Sequence, residues 1–162
     1  MKSSGDKREP EPAGPPQLLL DRVVVFRLGD QRYAFPLECV REVQQIVAFA
    51  EVPSGDSGIV GMVNLRGTVI PAIDVRRLVG MEVHEYVLET PMIIAQTHGE
   101  KMALIVDEVE DVFELSHESL QGAPARHKLS AMMLGVAPLG EGLVYVLDVG
   151  KLLAAAPKAG LL

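Results

Sequence analysis

Few residues in this chain have the type and spacing that could carry a reaction. Gly135-Val136-Ala137-Pro138-Leu139-Gly140 has the glycine spacing of a phosphate-binding loop. Glu141 and Gly142, however, stand where that loop needs Lys and Ser or Thr, which sets negative charge against phosphate, so the run reads as a hairpin turn. Ser57, between Gly55-Asp56 and Gly58, is one residue short of a Gly-x-Ser-x-Gly nucleophile elbow and has no strand before it. His84, His98, His117 and His127 show no paired helical spacing that would aim two rings at one ion. They read as isolated surface histidines, and no metal site is expected. Cys39, the single cysteine, can close no internal bridge. It lies in an apolar pattern beside Glu38 with no local histidine to lower its pKa, so it reads as a buried structural thiol. Acid pairs such as Asp107/Glu108 would suit glycoside chemistry, but consecutive strand residues point to opposite faces. A small hydrolase using the acid-rich segment 107–118 would require two of its carboxylates to converge in a closed pocket. The chain does not read as an enzyme, and no cofactor is expected.

The elements that position these residues are constrained by composition. The chain has 162 residues, 15 Lys+Arg against 22 Asp+Glu for a net charge of −7, three Tyr, four Phe and no Trp. An acidic chain with few aromatics lacks the basic face and stacking platforms that nucleic acid needs. At this length one ordinary domain or two very small ones are expected, with about 68–70% of the unfolded surface buried. No stretch approaches the roughly 20 apolar residues of a membrane span, and Met1-Lys2-Ser3-Ser4-Gly5-Asp6 runs into acids and prolines. No direct membrane insertion and a cytoplasmic location are expected. Residues 1–17, with Pro10, Pro12, Pro15 and Pro16 and mixed charge, read as a flexible tail, and 156–162 as a second tail. The excess acid lies in 82–119, where Lys101 is the one basic residue other than histidine. The section 107–118 within it is either an interaction face or a solvated strand edge.

After the first tail, short β-branched runs alternate with turn signals. Val23-Val24-Val25-Phe26, Gly29-Asp30 and Tyr33-Ala34-Phe35-Pro36-Leu37 read as a hairpin with Tyr33, Phe35 and Leu37 on one face. Further strands are expected at 59–65, 69–73, 92–97, 102–106, 108–115, 132–137 and 143–147, with Pro71 at an edge or a bulge. There is also an internal repeat. Residues 34–43 match 103–112 in pattern, and Ile73-Asp74-Val75-Arg76-Arg77-Leu78 matches Leu147-Asp148-Val149-Gly150-Lys151-Leu152. The offsets of 69 and 74 residues imply two copies of one unit, with Asp74 and Asp148 as helix N-caps. The expected architecture is all-β: two small β-barrels packed on one apolar core, the first about 18–81 and the second about 88–155, with a few short helices. The seam between them would be a natural groove for a partner strand or helix.

The segment Gly61-Met62-Val63-Asn64-Leu65-Arg66-Gly67-Thr68-Val69-Ile70-Pro71-Ala72-Ile73-Asp74 resembles the signature of the CheW-like family, the coupling proteins of bacterial chemotaxis arrays. The likeness includes residues 25–33, Val40-Arg41-Glu42-Val43, Val106-Asp107-Glu108-Val109 and residues 148–153, and so covers about 20–155. The resemblance implies two SH3-like five-stranded barrels, no catalysis, and an adaptor for two partners. These are the cytoplasmic tip of a chemoreceptor (methyl-accepting chemotaxis protein) and the regulatory domain of a CheA-type histidine kinase. It implies receptor-side roles for Val40, Glu42, Arg66, Val109 and Val112, and turn roles for Gly61, Asn64 and Gly67. Val109 and Val112 equally suit ordinary core. Family members pair Arg66's counterpart with the acid at Glu42. Such a pair either holds the carboxylate bidentately and fixes the strand-to-turn geometry at the groove mouth, or is an exposed pair worth about 0–1 kcal/mol. The same fold could instead serve gliding, pili or development. Asp56 replaces the second of two prolines that the family often shows in that loop.

Overall fold

Most of the β-branched runs end at a turn bearing Gly or at a helix cap, and the strands follow that punctuation. The computed structural model describes residues 22–46, 50–51 and 59–155. The two expected tails and the loop carrying Pro53, Asp56 and Ser57 lie outside the described residues. In chain order the elements are β1 (Arg22–Leu28), β2 (Gln31–Pro36), β3 (Val40–Gln45), β4 (Ala50–Glu51), β5 (Ile59–Leu65), β6 (Thr68–Asp74) and α1 (Val75–Leu78). They continue with β7 (Pro91–Thr97), β8 (Glu100–Ile105), β9 (Glu108–Glu114), β10 (Met133–Leu139), β11 (Gly142–Leu147) and α2 (Val149–Ala155). One-turn 3-10 helices lie at Leu37–Cys39, His117–Ser119 and Ser130–Met132. Asp74 caps α1 by accepting from the Arg76 amide at 2.9 Å, and Asp148 accepts from the Lys151 amide at 3.1 Å.

The repeat appears in the elements: β1, β2, β3, β5, β6 and α1 are followed in the same order by β7, β8, β9, β10, β11 and α2. The sheets, however, do not divide the chain into the expected halves 18–81 and 88–155. One sheet, A, has the order β10-β11-β2-β1-β9, and the other, B, the order β3-β7-β8-β6-β5-β4. Apart from the two-residue β4, each sheet has five strands. Each takes its leading hairpin from one copy and three strands from the other. In each sheet the copies are joined by one antiparallel and one short parallel pairing: β1 with β9, and Tyr33↔Tyr145 and Ala34↔Val146, in sheet A; β3 with β7, and Ala72↔Ala103 through Asp74↔Ile105, in sheet B. The physical reason is that β1, β2, β7 and β8 are apolar on both faces, so each hairpin needs cover from two sides.

The side chains divide accordingly at the two-residue strand period. Val23, Val25, Ala34, Val144 and Val146 form the interior of sheet A, and Val63, Ile70, Met92, Ile94, Ala103 and Ile105 that of sheet B. The alternate residues Phe26, Leu28, Tyr33, Phe35, Ile93, Leu104 and Leu147 point into a third cluster shared by both sheets. Pro71 lies in the interior strand β6, but the pairing with β8 begins only at Ala72, so at Pro71 that flank is locally an edge.

Bulges recur at repeat-equivalent places. The register shifts at Arg41 in β3 and at Glu110 in β9, 69 residues apart in sequence, and again at Val60 and Leu134. Each adds one unpaired residue, which bends the strand.

Candidate functional site

The β5–β6 turn is closed by two residues, Arg66 and Gly67, with φ of 49° and 90°. Positive φ at both positions matches the right-handed strand twist and makes a tight hairpin. Asn64 supports it by accepting from the Gly67 amide at 2.9 Å. An arginine in this left-handed conformation is strained, since its Cβ crowds the backbone. The equivalent turn of the second copy avoids the strain by placing Gly140, φ 63°, at that position.

Arg66 uses its position to reach Glu42 on β3, the opposite edge of sheet B. The guanidinium donates from both terminal nitrogens to both carboxylate oxygens, at 3.3 Å for one bond and closer for the other. The contact therefore ties the turn between the fourth and fifth strands back to the first. Gln44, two residues along the same face of β3, donates to the Glu42 carboxylate at 2.5 Å. Together the Arg66 and Gln44 bonds hold the Glu42 carboxyl below its usual range, and Glu42 raises the guanidinium. The Arg66 side chain is 66% exposed and that of Glu42 27%, so the pair is open to solvent and to a partner.

Sheet A ties its matching corner differently. Arg32 on β2 donates to the Leu139 carbonyl at 3.0 Å and lies 3.5 Å from Glu110 in the β9 bulge, which Arg27 also meets at 3.2 Å. Arg32 and Glu110 are half-buried, with side chains 21% and 20% exposed, and Arg27 is 36% exposed.

The expected site residues fall into two equivalent sets instead of one wall. Val40 and Val43 pair with Ala95 and Ile93, so the bulge at Arg41 puts both valines on the face of the shared core although they are three apart. Val109 and Val112 pair with Phe26 and Val24 and share a face for the same reason. Val40 and Val109 are half-buried and pack on the shared core, whereas Val43 and Val112 are 45% and 43% exposed. Val43 was not among the expected site residues. Its signal was present in the repeat, which aligns it with Val112. Gly61 is buried at the β5 bulge.

A second polar centre was not expected. Arg76 on α1, 7% exposed, donates to both oxygens of Asp107, at 2.6 and 2.5 Å, and to the Glu82 carbonyl at 3.0 Å. Asp107 also accepts from the Gly29 amide at 2.7 Å, and Tyr86 donates to buried Asp74 at 2.5 Å. Burial pushes the Asp107 carboxyl up, but the bonds from Arg76 and Gly29 outweigh it and hold it below its usual range. For Asp74 burial prevails over the bonds from Tyr86 and Arg76, and the carboxyl is pushed up. Asp74, Arg76, Tyr86 and Asp107 line a cavity of about 270 Å³ together with His84 and Thr90. They fasten the 79–90 linker across the ends of β6 and β8.

The acids of 107–118 do not converge. Asp107 is bound to Arg76 and Glu110 to the two arginines, and Glu108, Asp111, Glu114 and Glu118 are exposed. The hydrolase arrangement is therefore not formed. Cys39 is buried in the shared core, and burial, Glu38 and Asp148 push its thiol up. His84, His98 and His117 are exposed, but His127 is not an isolated surface residue: it is half-buried and bonded to Tyr33. Among the described residues no group of three or more His, Cys, Asp or Glu could hold a metal ion, and no helix is long and apolar enough to cross a membrane.

Known proteins are similar to this chain in sequence and fold. The CheW-like domain family matches residues 22–156. Chemotaxis protein CheW of Rhizobium meliloti is 30% identical over 102 residues, covering 63% of this chain and 66% of that protein. Chemotaxis protein CheW of Klebsiella aerogenes is 28% identical over 133 residues, 81% of this chain and 80% of that one. Among solved structures, the scaffolding protein TtCheW from Thermoanaerobacter tengcongensis superposes with a TM-score of 0.71 at 26% identity, covering 88% of this chain and 90% of its own. These are names of chemotaxis and scaffolding proteins, not of enzymes.

Proposed function

Because the chain belongs to the CheW-like domain family, we propose that it is a non-catalytic adaptor that couples a chemoreceptor's cytoplasmic tip to the regulatory domain of a CheA-type histidine kinase. Its location in this reading is the cytoplasm. The receptor side uses Glu42 and Arg66, with Val40 and Val43 on β3 and Val109 and Val112 on β9 as apolar contacts. The observation that carries the reading is Arg66 itself. It accepts a strained backbone that Gly140 avoids in the equivalent turn, and it commits an exposed side chain to a carboxylate that a partner can also reach. Mechanistically, holding receptor and kinase together raises their effective concentration, and a change in the docked pose shifts the kinase population.

Arg66→Gly separates the two roles of this residue. Glycine relieves the turn, so the melting temperature stays the same or rises, whereas receptor-dependent kinase activation in a reconstituted assay falls. Full coupling by the variant would remove Arg66 from the receptor site.

A further inference from the structure

We propose that His127 is an acid-sensitive latch: its neutral imidazole holds the 124–132 segment over the shared core, and protonation releases it. The ring is bonded at both nitrogens. Nδ1 lies 3.0 Å from the Leu129 backbone nitrogen, and Nε2 lies 3.0 Å from the Tyr33 hydroxyl. A backbone N–H can only donate, so Nδ1 must be the unprotonated, accepting nitrogen. The single proton of the neutral ring is thereby assigned to Nε2, which donates to Tyr33 Oη. A second proton can enter only at Nδ1, where it would face the Leu129 N–H and break that bond.

The surroundings offer an imidazolium little compensation. From β2 the ring meets Tyr33, with centroids 5.8 Å apart, and from β11 Tyr145, at 4.9 Å. On its own segment the charged neighbours are Arg126 and Lys128, both of the same sign as the imidazolium, and Lys128 reaches away to Gly80 near the end of α1. The Tyr33 hydroxyl is pushed up to about 12, by burial first and by Tyr145, so it stays neutral and supplies no counter-charge. Burial pushes the imidazole of His127 down.

The latch holds more than a turn. Leu129 is 1% exposed within the shared core, and the Met132 carbonyl accepts from the Asp148 amide at 2.7 Å at the cap of α2. The His127 carbonyl accepts from the Ser130 amide at 3.0 Å, so the ring and the backbone of one residue organise the entry of this segment. Since the closed state favours the neutral ring, closure is complete above the ordinary imidazole value of about 6.5. It weakens as pH falls from there toward the ring's lower folded value, and levels off below it.

The test is amide hydrogen exchange and ring titration by NMR on the full chain, from pH 8 to pH 4.5, with His127→Asn beside the wild type. The asparagine carboxamide can accept from Leu129 but does not titrate. The expected result is that His127 titrates below about 6.5. The Leu129 protection factor, relative to the variant, should fall by about tenfold for each unit separating the open and closed pKa values. A protection ratio constant across the range, or a ring titrating at or above the ordinary value, overturns the proposal. Should the variant fail to fold, the wild-type Leu129 protection factor is compared with that of Leu104 in the same core, and a ratio constant across the range overturns the proposal.

Discussion

Two arginines show how position in the fold decides what a guanidinium does. Arg66 stands on an exposed turn and makes its bonds to one carboxylate in contact with water, so its attraction is screened and its removal leaves no buried charge behind. Arg76 is buried and uses all three nitrogens, fastening α1, the linker and the corner between β8 and β9. Replacing it by leucine leaves Asp107 without its main partner. The side chain of Asp107 is still 26% exposed, so the cost should be below that of a fully buried pair, about 2–3 kcal/mol at neutral pH. The sign with pH follows from the lowered carboxyl of Asp107. Its stabilisation is present above the unfolded carboxylate value and is lost as pH falls through the lower folded one. Denaturation of wild type and Arg76→Leu at pH 7 and near pH 3 should therefore show a gap that narrows in acid. A gap that widened in acid would contradict this account.

The strands obey a two-residue period with one correction in each of β3, β5, β9 and β10. The bulges at Arg41 and Glu110 let valines three residues apart share a face, which a regular strand forbids. The bulge beside Gly135 has a different cause. A Cβ there would stand 2.2 Å from the Gln121 carbonyl oxygen and 2.8 Å from Leu120 Cγ. That carbonyl accepts from the Val136 amide in the bridge that pins 121 to β10. Gly135→Ala must push this bridge apart, and a loss of about 1–3 kcal/mol is expected in chemical denaturation. An alanine variant as stable as the parent would mean that the 120–121 backbone yields freely.

For the molecule as a whole, the exchange of hairpins between copies makes each half incomplete. The hairpin β1–β2 lacks its flanking β9 and β11 if the second copy is absent, and β7–β8 lacks β3 and β6 if the first is absent. Each half would then expose a two-sided apolar hairpin as an unpaired edge. Chains 1–84 and 85–162 expressed separately should therefore lack the cooperative transition of the parent and regain it when mixed. A half that folds cooperatively alone would show that its own strands suffice. The connection matters to the proposed adaptor role, since the β3 and β9 surfaces stand on different sheets joined through one core.

The period-two runs, the Gly turns, the repeat and both N-caps were determined by the sequence alone, because each is a local preference of a few neighbouring residues. The order β5, β6, α1 and its echo in β10, β11, α2 could be read as pattern without coordinates. The meeting of Arg66 with Glu42 was expected from family resemblance and its bidentate form from the residue types, but the degree of exposure depends on sheet B bringing its edge back to that turn. Which hairpin belongs to which sheet, the Arg76–Asp107 centre and the burial of His127 were decided only by tertiary structure. Two copies of one unit can pair within themselves or with each other, and the same alternation of side chains satisfies both arrangements. Pairing between strands far apart in the chain is set by which faces can be buried together, a property of the assembled core and of no single segment.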